Sequence, residues 1–194
     1  MKKILILLLL INFNFTNAYS IEADVFIQST VNRAAETLGG GLTKEERMNE
    51  LKKIALDTVD IRGIGFYSLG VHRKTTNEEQ KIEYLKAFEN YFLQSFSSRL
   101  AEYSNPIINV DSKKKINENY TIVSSTLAAT EKRPAVKIEW RVYTINKKQP
   151  LIRDLIIEGL SLARTQKEEF NSIIKSARGD INVLIENLRN FSNN

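Results

Sequence analysis

Apolar side chains recur every three or four residues in the first part of the chain, which is the spacing of an amphipathic helix. The first such stripe stops at the three glycines 39–41, so we expect a helix end there. A second stripe follows Thr43 and Glu46, whose spacing is that of a capping box at a helix start. The first stripe consists of Ile27, Val31, Ala34, Ala35 and Leu38.

The longest predicted helix covers about residues 77–103 and begins at a second capping box, formed by Thr76 and Glu79. Two more helices are predicted at the end of the chain, the first of them after a capping box of Thr165 with Glu168. The long helix should bury a face of large apolar residues: Ile82, Leu85, Phe88, Phe92, Phe96 and Leu100.

Between these helices the period of the pattern changes to two, which indicates β-strands. In the clearest strand, apolar residues at 136, 138, 140 and 142 alternate with polar ones, so one face packs on something apolar. The connections are too short for crossover helices, and the sheet should be antiparallel. Helices and strands that are segregated in this way give the class α+β, and residues 21–194 are predicted to form one domain. The four predicted strands lie near 106–111, 119–128, 135–144 and 150–158.

The first 20 residues have the pattern of a secretory signal peptide. Lys2 and Lys3 precede an unbroken apolar run at 4–11, and small residues follow, so cleavage is expected after about Ala18 or Ser20. The apolar run is too short for a membrane-spanning helix. We therefore expect a soluble protein that is exported across the inner membrane.

Composition excludes several classes of function. The chain contains no cysteine, so neither a disulfide framework nor a lipid-modified cysteine is available. The net charge is +5, and removal of the two leader lysines lowers it to +3, which is too small to indicate nucleic-acid binding. The lysines at 113–115 and 147–148 are predicted to lie in turns, either as solvated tips or in contact with lipid head groups or an acidic partner.

No catalytic constellation is apparent. His72 is the single histidine and has basic neighbours, which disfavours a metal site. Asp154 and Glu158 share one face of a strand about 13 Å apart, farther than the carboxylate pair of a glycosidase. We expect Asp154 to pair with Arg141 and Glu158 to accept backbone N–H bonds at a corner of the chain. The sequence therefore predicts a binding protein, not an enzyme.

Taken together, three stretches of the chain resemble the MlaC family of periplasmic phospholipid-binding proteins, also described as toluene-tolerance proteins. The resemblance covers nearly the whole mature chain. Residues of the first stretch lead into the long aromatic helix, the second is part of the clearest strand, and the third is the most specific. They are Leu69-Gly70 with His72, Arg73, Thr76 and Gln80; Trp140-Arg141; and Asp154 to Leu162 with Phe170, Gly179, Asp180, Leu184 and Leu188.

The resemblance implies an NTF2-like fold in which helices packed on a four-stranded antiparallel sheet enclose an apolar pocket. In this family the pocket holds phospholipid tails, and the head group stays near solvent. The bound phospholipid is cargo, and no cofactor is expected. The resemblance further implies a shuttle between an outer-membrane lipoprotein complex of the MlaA type and an inner-membrane ABC transporter with an MlaD-type subunit, which maintains outer-membrane lipid asymmetry.

We expect the lipid-binding pocket to be lined by apolar residues of the long helix, of the segment before it and of the sheet: Phe66, Leu69, Leu85, Phe88, Phe92, Ile122, Ile138, Trp140, Val142, Leu155 and Ile157.

Three alternatives stay open at the level of sequence. One is another NTF2-like small-molecule-binding protein or an enzyme that uses Asp154 or His72, and another is a relative associated with hopanoids. The third is an interaction module without a cavity. Leu151 and Ile152 stand where the family usually has an aromatic residue, which bears on the local shape of the pocket.

Overall fold

The computed structural model describes residues 20–131 and 133–192. The predicted leader, apart from Ser20, lies outside these residues. The described chain begins with four α-helices, continues as a sheet and ends with two more helices. Their bounds are α1 Ala23–Gly39, α2 Lys44–Thr58, α3 Ile61–Leu69, α4 Glu78–Leu100, β1 Ile108–Asn117, β2 Tyr120–Leu127, β3 Val136–Tyr143, β4 Leu151–Ile157, β5 Leu160–Ser161, α5 Leu162–Ser176 and α6 Ile181–Ser192, with a 3-10 helix at Gly70–Lys74.

The sheet is an antiparallel meander in which each strand pairs with its neighbour in the sequence, in the order β1 to β5. The α+β class and the antiparallel pairing are confirmed. The sheet has five strands where the sequence predicted four, because Glu158 and Gly159 form a tight hairpin after β4. Both residues have positive φ angles, 49° and 83°, as a two-residue hairpin of this kind requires.

The capping box predicted for α2 is confirmed, but that predicted for α4 is wrong by one residue. Asn77 and Gln80 form the reciprocal pair, and the Asn77 side chain accepts a hydrogen bond from the Gln80 backbone N–H at 2.8 Å. Thr76 instead donates its hydroxyl to the backbone carbonyl of His72 at 2.7 Å. The N-cap is therefore Asn77, and Thr76 lies one residue before it.

The start predicted for α5, at Thr165 and Glu168, is also wrong. Ser161 caps this helix by accepting a hydrogen bond from the backbone N–H of Arg164 at 3.1 Å. Thr165 lies inside the helix and donates to the carbonyl of Ser161 at 3.0 Å. The strand β5 therefore passes directly into α5.

Helices α3 to α6 pack around one aromatic cluster. Tyr84 and Phe88 of α4 are fully buried, and Phe170 of α5 meets both rings edge-on, with centroids 6.3 Å and 6.1 Å away. The buried face of α4 is rotated from the predicted one at its start, because Ile82 is 69% exposed. Phe92 and Phe96 are partly exposed, and their rings stack at 5.7 Å.

The apolar face of the sheet packs on α1. Trp140 belongs to this second core, and its indole N–H donates to the hydroxyl of Ser125 at 2.8 Å, so its polar atom is satisfied. The buried residues that α1 and the sheet contribute are Ala23, Ile27, Val31, Val123, Ile138, Trp140, Val142 and Ile152.

The lysines at 113–115 lie within β1 and not in a turn, since β1 extends six residues beyond the end predicted for it. Lys113 contacts the carboxylates of Glu22 and Asp24 at 2.8 Å each, which attaches the start of α1 to the sheet. The hydrogen bond from Lys113 lowers the pKa of Asp24. The lysines at 147–148 lie in the connection between β3 and β4, as predicted.

Candidate functional site

The face of the sheet opposite α1 borders a cleft. Helices α3 and α5 lean over β4 and leave a space of about 490 Å³ between α3 and strands β1 to β4. This volume lies within the usual range of small-molecule sites. Apolar and charged side chains both line the cleft: Gly63, Ile64, Tyr67, Ile116, Asn117, Tyr120, Ile122, Arg141, Arg153, Asp154 and Ala163.

The helical wall of the cleft is α3. Its N-cap, Asp60, accepts a hydrogen bond from the backbone N–H of Gly63 at 2.8 Å, and a Cβ at Gly63 would collide with the Asp60 carboxylate. Glycine is therefore the residue that lets the carboxylate fold back over the helix start. Ile64 is buried in the wall, whereas Tyr67 stands at the rim with 45% of its surface exposed.

A β-bulge in β4 brings Arg153 to the cleft. Arg141 pairs with Asp154 and Val142 pairs with Ile152, so Arg153 is the extra residue between the two pairs. Its Nε donates to Asp60 at 2.6 Å and its Nη1 donates to the hydroxyl of Tyr120 at 2.7 Å. The guanidinium also lies 3.4 Å from the ring centroid of Tyr143. These contacts fix Arg153 as a link between α3 and the sheet.

Asp154 has the structural role that the sequence predicted. Only 4% of its surface is exposed, and one carboxylate oxygen accepts from the Ser161 hydroxyl at 2.7 Å. The other accepts from the backbone N–H of Ala163 at 3.0 Å, at the start of α5. The predicted pairing with Arg141 is present, at 3.7 Å. A carboxylate occupied in this way holds the strand-to-helix corner together.

Glu158 and His72 also have local partners. Glu158 accepts from the backbone N–H of Lys137 at 2.6 Å, as expected for the corner. The Nε2 of His72 lies 3.1 Å from the side-chain oxygen of Asn171. Across residues 20–131 and 133–192, no group of three or more His, Cys, Asp and Glu side chains is arranged to hold a metal ion. Within the same ranges, no helix has the length and apolarity needed to cross a membrane.

The predicted pocket residues fall into separate parts of the molecule. Only Ile122 lines the cleft. Ile138, Trp140, Val142 and Leu155 belong to the core that α1 covers, and Ile157 faces the same way because it pairs with Ile138. The remaining residues belong to the helix layer, where Leu69 and Phe88 are buried, Leu85 and Phe92 are partly buried, and Phe66 lies beneath the guanidinium groups of Arg62 and Arg73.

The cleft residues on the sheet could have been found from the alternation in the sequence. Tyr120 and Ile122 alternate with the buried Val123, and Arg141 alternates with Trp140, so all three lie on the face opposite α1. The bulge that adds Arg153 leaves no comparable signal. Whether acyl chains contact the residues predicted from sequence stays a prediction.

Comparison with known proteins places this architecture in a family. A comparison with curated proteins gives no match. Among solved structures, a phospholipid-binding protein from Ralstonia solanacearum, determined in complex with a phospholipid, is similar with a TM-score of 0.75. The two sequences are 18% identical, and the similarity covers 89% of this chain and 97% of the other. A family model described as MlaC protein matches residues 28–190, and the chain therefore belongs to the MlaC family.

Proposed function

We propose that this protein is a periplasmic phospholipid carrier, which takes up a phospholipid and shields its tails from water during transfer. The observation that carries the proposal is the match of the MlaC family to residues 28–190. A cleft between the sheet and α3, with Ile64 and Ile122 on its opposite walls, supplies an apolar surface for acyl chains. The similar fold of a phospholipid-binding protein supports the same conclusion.

The energetics of lipid carriage call for apolar surface and not for catalytic groups. Each CH₂ group moved out of water contributes about 0.8 kcal/mol, so two long tails would cost on the order of 20 kcal/mol if they were exposed. A carrier has to replace the bilayer with apolar protein surface and needs no reactive group. The buried carboxylate of Asp154, whose oxygens are both hydrogen-bonded, is consistent with a binding role.

We further propose that the carrier moves lipid between an outer-membrane lipoprotein complex of the MlaA type and an inner-membrane ABC transporter with an MlaD-type subunit. Membership of the MlaC family and the leader predicted at residues 1–20 support this route. Through it the protein would maintain the lipid asymmetry of the outer membrane.

Lipid content is the direct test of the proposal. The wild-type protein and the variant Ile122→Asp are purified in parallel, and native mass spectrometry measures the bound lipid. We expect wild-type protein to carry phospholipid and the variant to lose most of it, because a carboxylate on the cleft wall would have to be buried against acyl chains.

The control is Leu56→Asp, an equal change at a residue of α2 that is 53% exposed and does not line the cleft. This variant should keep its lipid. Wild-type protein that is consistently free of lipid, including after incubation with phospholipid vesicles, would falsify the proposed function. Lipid retained by Ile122→Asp at the wild-type level would show that the tails lie elsewhere.

A further inference from the structure

The two arginines of the cleft have different surroundings. Arg153 donates to Asp60 and Tyr120 and is stacked on Tyr143, so its guanidinium is held from several sides. The guanidinium of Arg141, on the central strand β3, makes no hydrogen bond within residues 20–131 and 133–192. Its one ion pair there is the contact with Asp154, at 3.7 Å. The side chain of Arg141 is 43% exposed and faces the cleft.

Asp154, Asp60 and Glu139 leave the Arg141 guanidinium with a single long ion pair, the one to Asp154. The oxygens of Asp154 accept hydrogen bonds from the Ser161 hydroxyl at 2.7 Å and from the Ala163 backbone N–H at 3.0 Å. The carboxylate of Asp60 accepts a hydrogen bond from Arg153 at 2.6 Å. Glu139, which lies two residues before Arg141 on the same face of β3, pairs with Lys137 at 3.7 Å. Arg141 therefore keeps nearly all of its donor capacity for a group that enters the cleft.

The immediate neighbours of Arg141 are arranged for an amphipathic ligand. Ile122 is its cross-strand partner on β2, and Ile64 belongs to the opposite wall. A guanidinium has a planar fork of N–H donors that matches a phosphate with two parallel bonds. A molecule with a phosphate beside apolar chains would satisfy the charge and the apolar walls together.

We propose that Arg141 binds the phosphate group of the lipid cargo. The head group is then recognised at the cleft, and the tails lie along its apolar walls. This inference rests on the proposed function and names a group of the cargo and the residue that recognises it. Because Arg141 is partly exposed, the phosphate bound there stays in contact with water. The cargo class is a glycerophospholipid, and diacylglycerol, which lacks the phosphate, is a poor ligand.

The experiment compares two lipids with the same tails. The delipidated full mature chain is incubated with vesicles of phosphatidylglycerol mixed with diacylglycerol of identical acyl chains, and native mass spectrometry measures the ratio of the two bound lipids. Wild-type protein should favour phosphatidylglycerol. In Arg141→Gln the ratio should fall about tenfold, which is the factor that one hydrogen bond to a charged group supplies.

Two further variants complete the series. Arg141→Lys keeps the charge but not the fork, and we expect it to retain only part of the preference. If Arg141→Gln does not fold, the lipid ratio of Arg141→Lys tests the role of Arg141 in its place. Arg99→Gln removes an equal charge from an exposed position on α4, outside the cleft, and should leave the lipid ratio unchanged.

The outcomes separate this inference from the proposed function. If neither lipid binds wild-type protein, both fail. If both lipids bind without preference, or if the ratio is the same in wild type, Arg141→Gln and Arg141→Lys, the carrier function stands and the role of Arg141 is overturned. Stabilisation of the lipid-free protein by inorganic phosphate that depends on Arg141, together with a lipid ratio that does not, would assign the site to a free anion and overturn the lipid assignment.

Discussion

At the scale of single residues, the carboxylate of Asp154 joins two elements that meet at a sharp corner. It accepts from the Ser161 hydroxyl and from the Ala163 backbone N–H, and Ser161 in turn caps α5 through the N–H of Arg164. A negative charge at this point also interacts favourably with the N-terminus of the helix. One chain of hydrogen bonds thus sets the direction in which α5 leaves the sheet.

A double-mutant cycle measures this coupling. Asp154→Ala should lower the free energy of unfolding by about 2–3 kcal/mol, because two donors lose a charged acceptor. Ser161→Ala alone should cost about 1 kcal/mol through the lost cap. The double variant should cost at least about 0.5 kcal/mol less than the sum, since the two residues share one bond. Chemical denaturation gives the free energy of unfolding of all three variants. If the losses of the two single variants add up to that of the double variant, Asp154 and Ser161 are not coupled.

At the scale of elements, α3 is shaped by its two glycines. Gly63 makes room for the capping carboxylate, and Gly65 lets α4 approach the helix closely. A Cβ at Gly65 would lie 2.9 Å from a ring carbon of Phe88 and 3.2 Å from a methyl carbon of Leu85. The hydroxyl of Tyr84 donates to the Gly65 carbonyl at 2.9 Å, and burial raises the pKa of this tyrosine. The position of the cleft wall depends on this contact.

Gly65→Ala should therefore destabilise the protein although alanine favours helices. The gain in helix propensity is about 1 kcal/mol, whereas overpacking in a core costs about 1–3 kcal/mol. We expect a net loss of about 1 kcal/mol in the free energy of unfolding by chemical denaturation. Gly41→Ala is the control, because a Cβ there meets nothing within 4 Å and φ is not positive. If both variants are equally stable, the close packing of α3 on α4 does not require glycine at position 65.

At the scale of the whole molecule, the two larger apolar cores are separate clusters, and the cleft borders the sheet. Helices α3 to α6 form the aromatic core, and α1 with the apolar sheet face forms the other. Val59, at the end of α2, packs against both cores and pairs with Ile152 of β4. A ligand in the cleft would contact α3, α5 and the sheet at once, so its binding should stabilise the whole fold.

This expectation can be tested by thermal unfolding of loaded and delipidated protein. A ligand at about one hundred times its Kd stabilises the folded state by about 2.7 kcal/mol. For a domain of this size that corresponds to a rise in Tm of roughly 5–10 °C. Ile122→Asp should show a much smaller rise in the presence of the same phospholipid. Equal shifts in wild type and variant would mean that the lipid binds outside the cleft.

How far the sequence predicts this molecule depends on the range of the interaction. The alternation around Trp140 correctly predicted a strand with one apolar face, since the period of two is a local property. It did not reveal that α1, more than one hundred residues earlier in the chain, covers that face. The cleft residue Arg153 depends on a bulge between two strand pairs, which arises from register and leaves no pattern in one strand. Ile122 was predicted as an apolar pocket residue of the sheet, whereas Arg141 was predicted as a partner of Asp154 and as part of the resemblance, not as a cleft residue.

The position of β1 at the edge of the sheet has a consequence for solubility. An edge strand of ten residues offers a row of backbone groups to any other extended chain and is a potential start of fibril growth. Here the pairing of β1 with β2 is irregular at Val110/Ser112 and again at Lys115/Asn117, and the lysines 113–115 lie between these two irregularities. Bulges and lysines on an edge discourage a second copy from adding a strand. The lysine run that looks like a loop in the sequence is thus placed where it disfavours strand addition at the exposed edge.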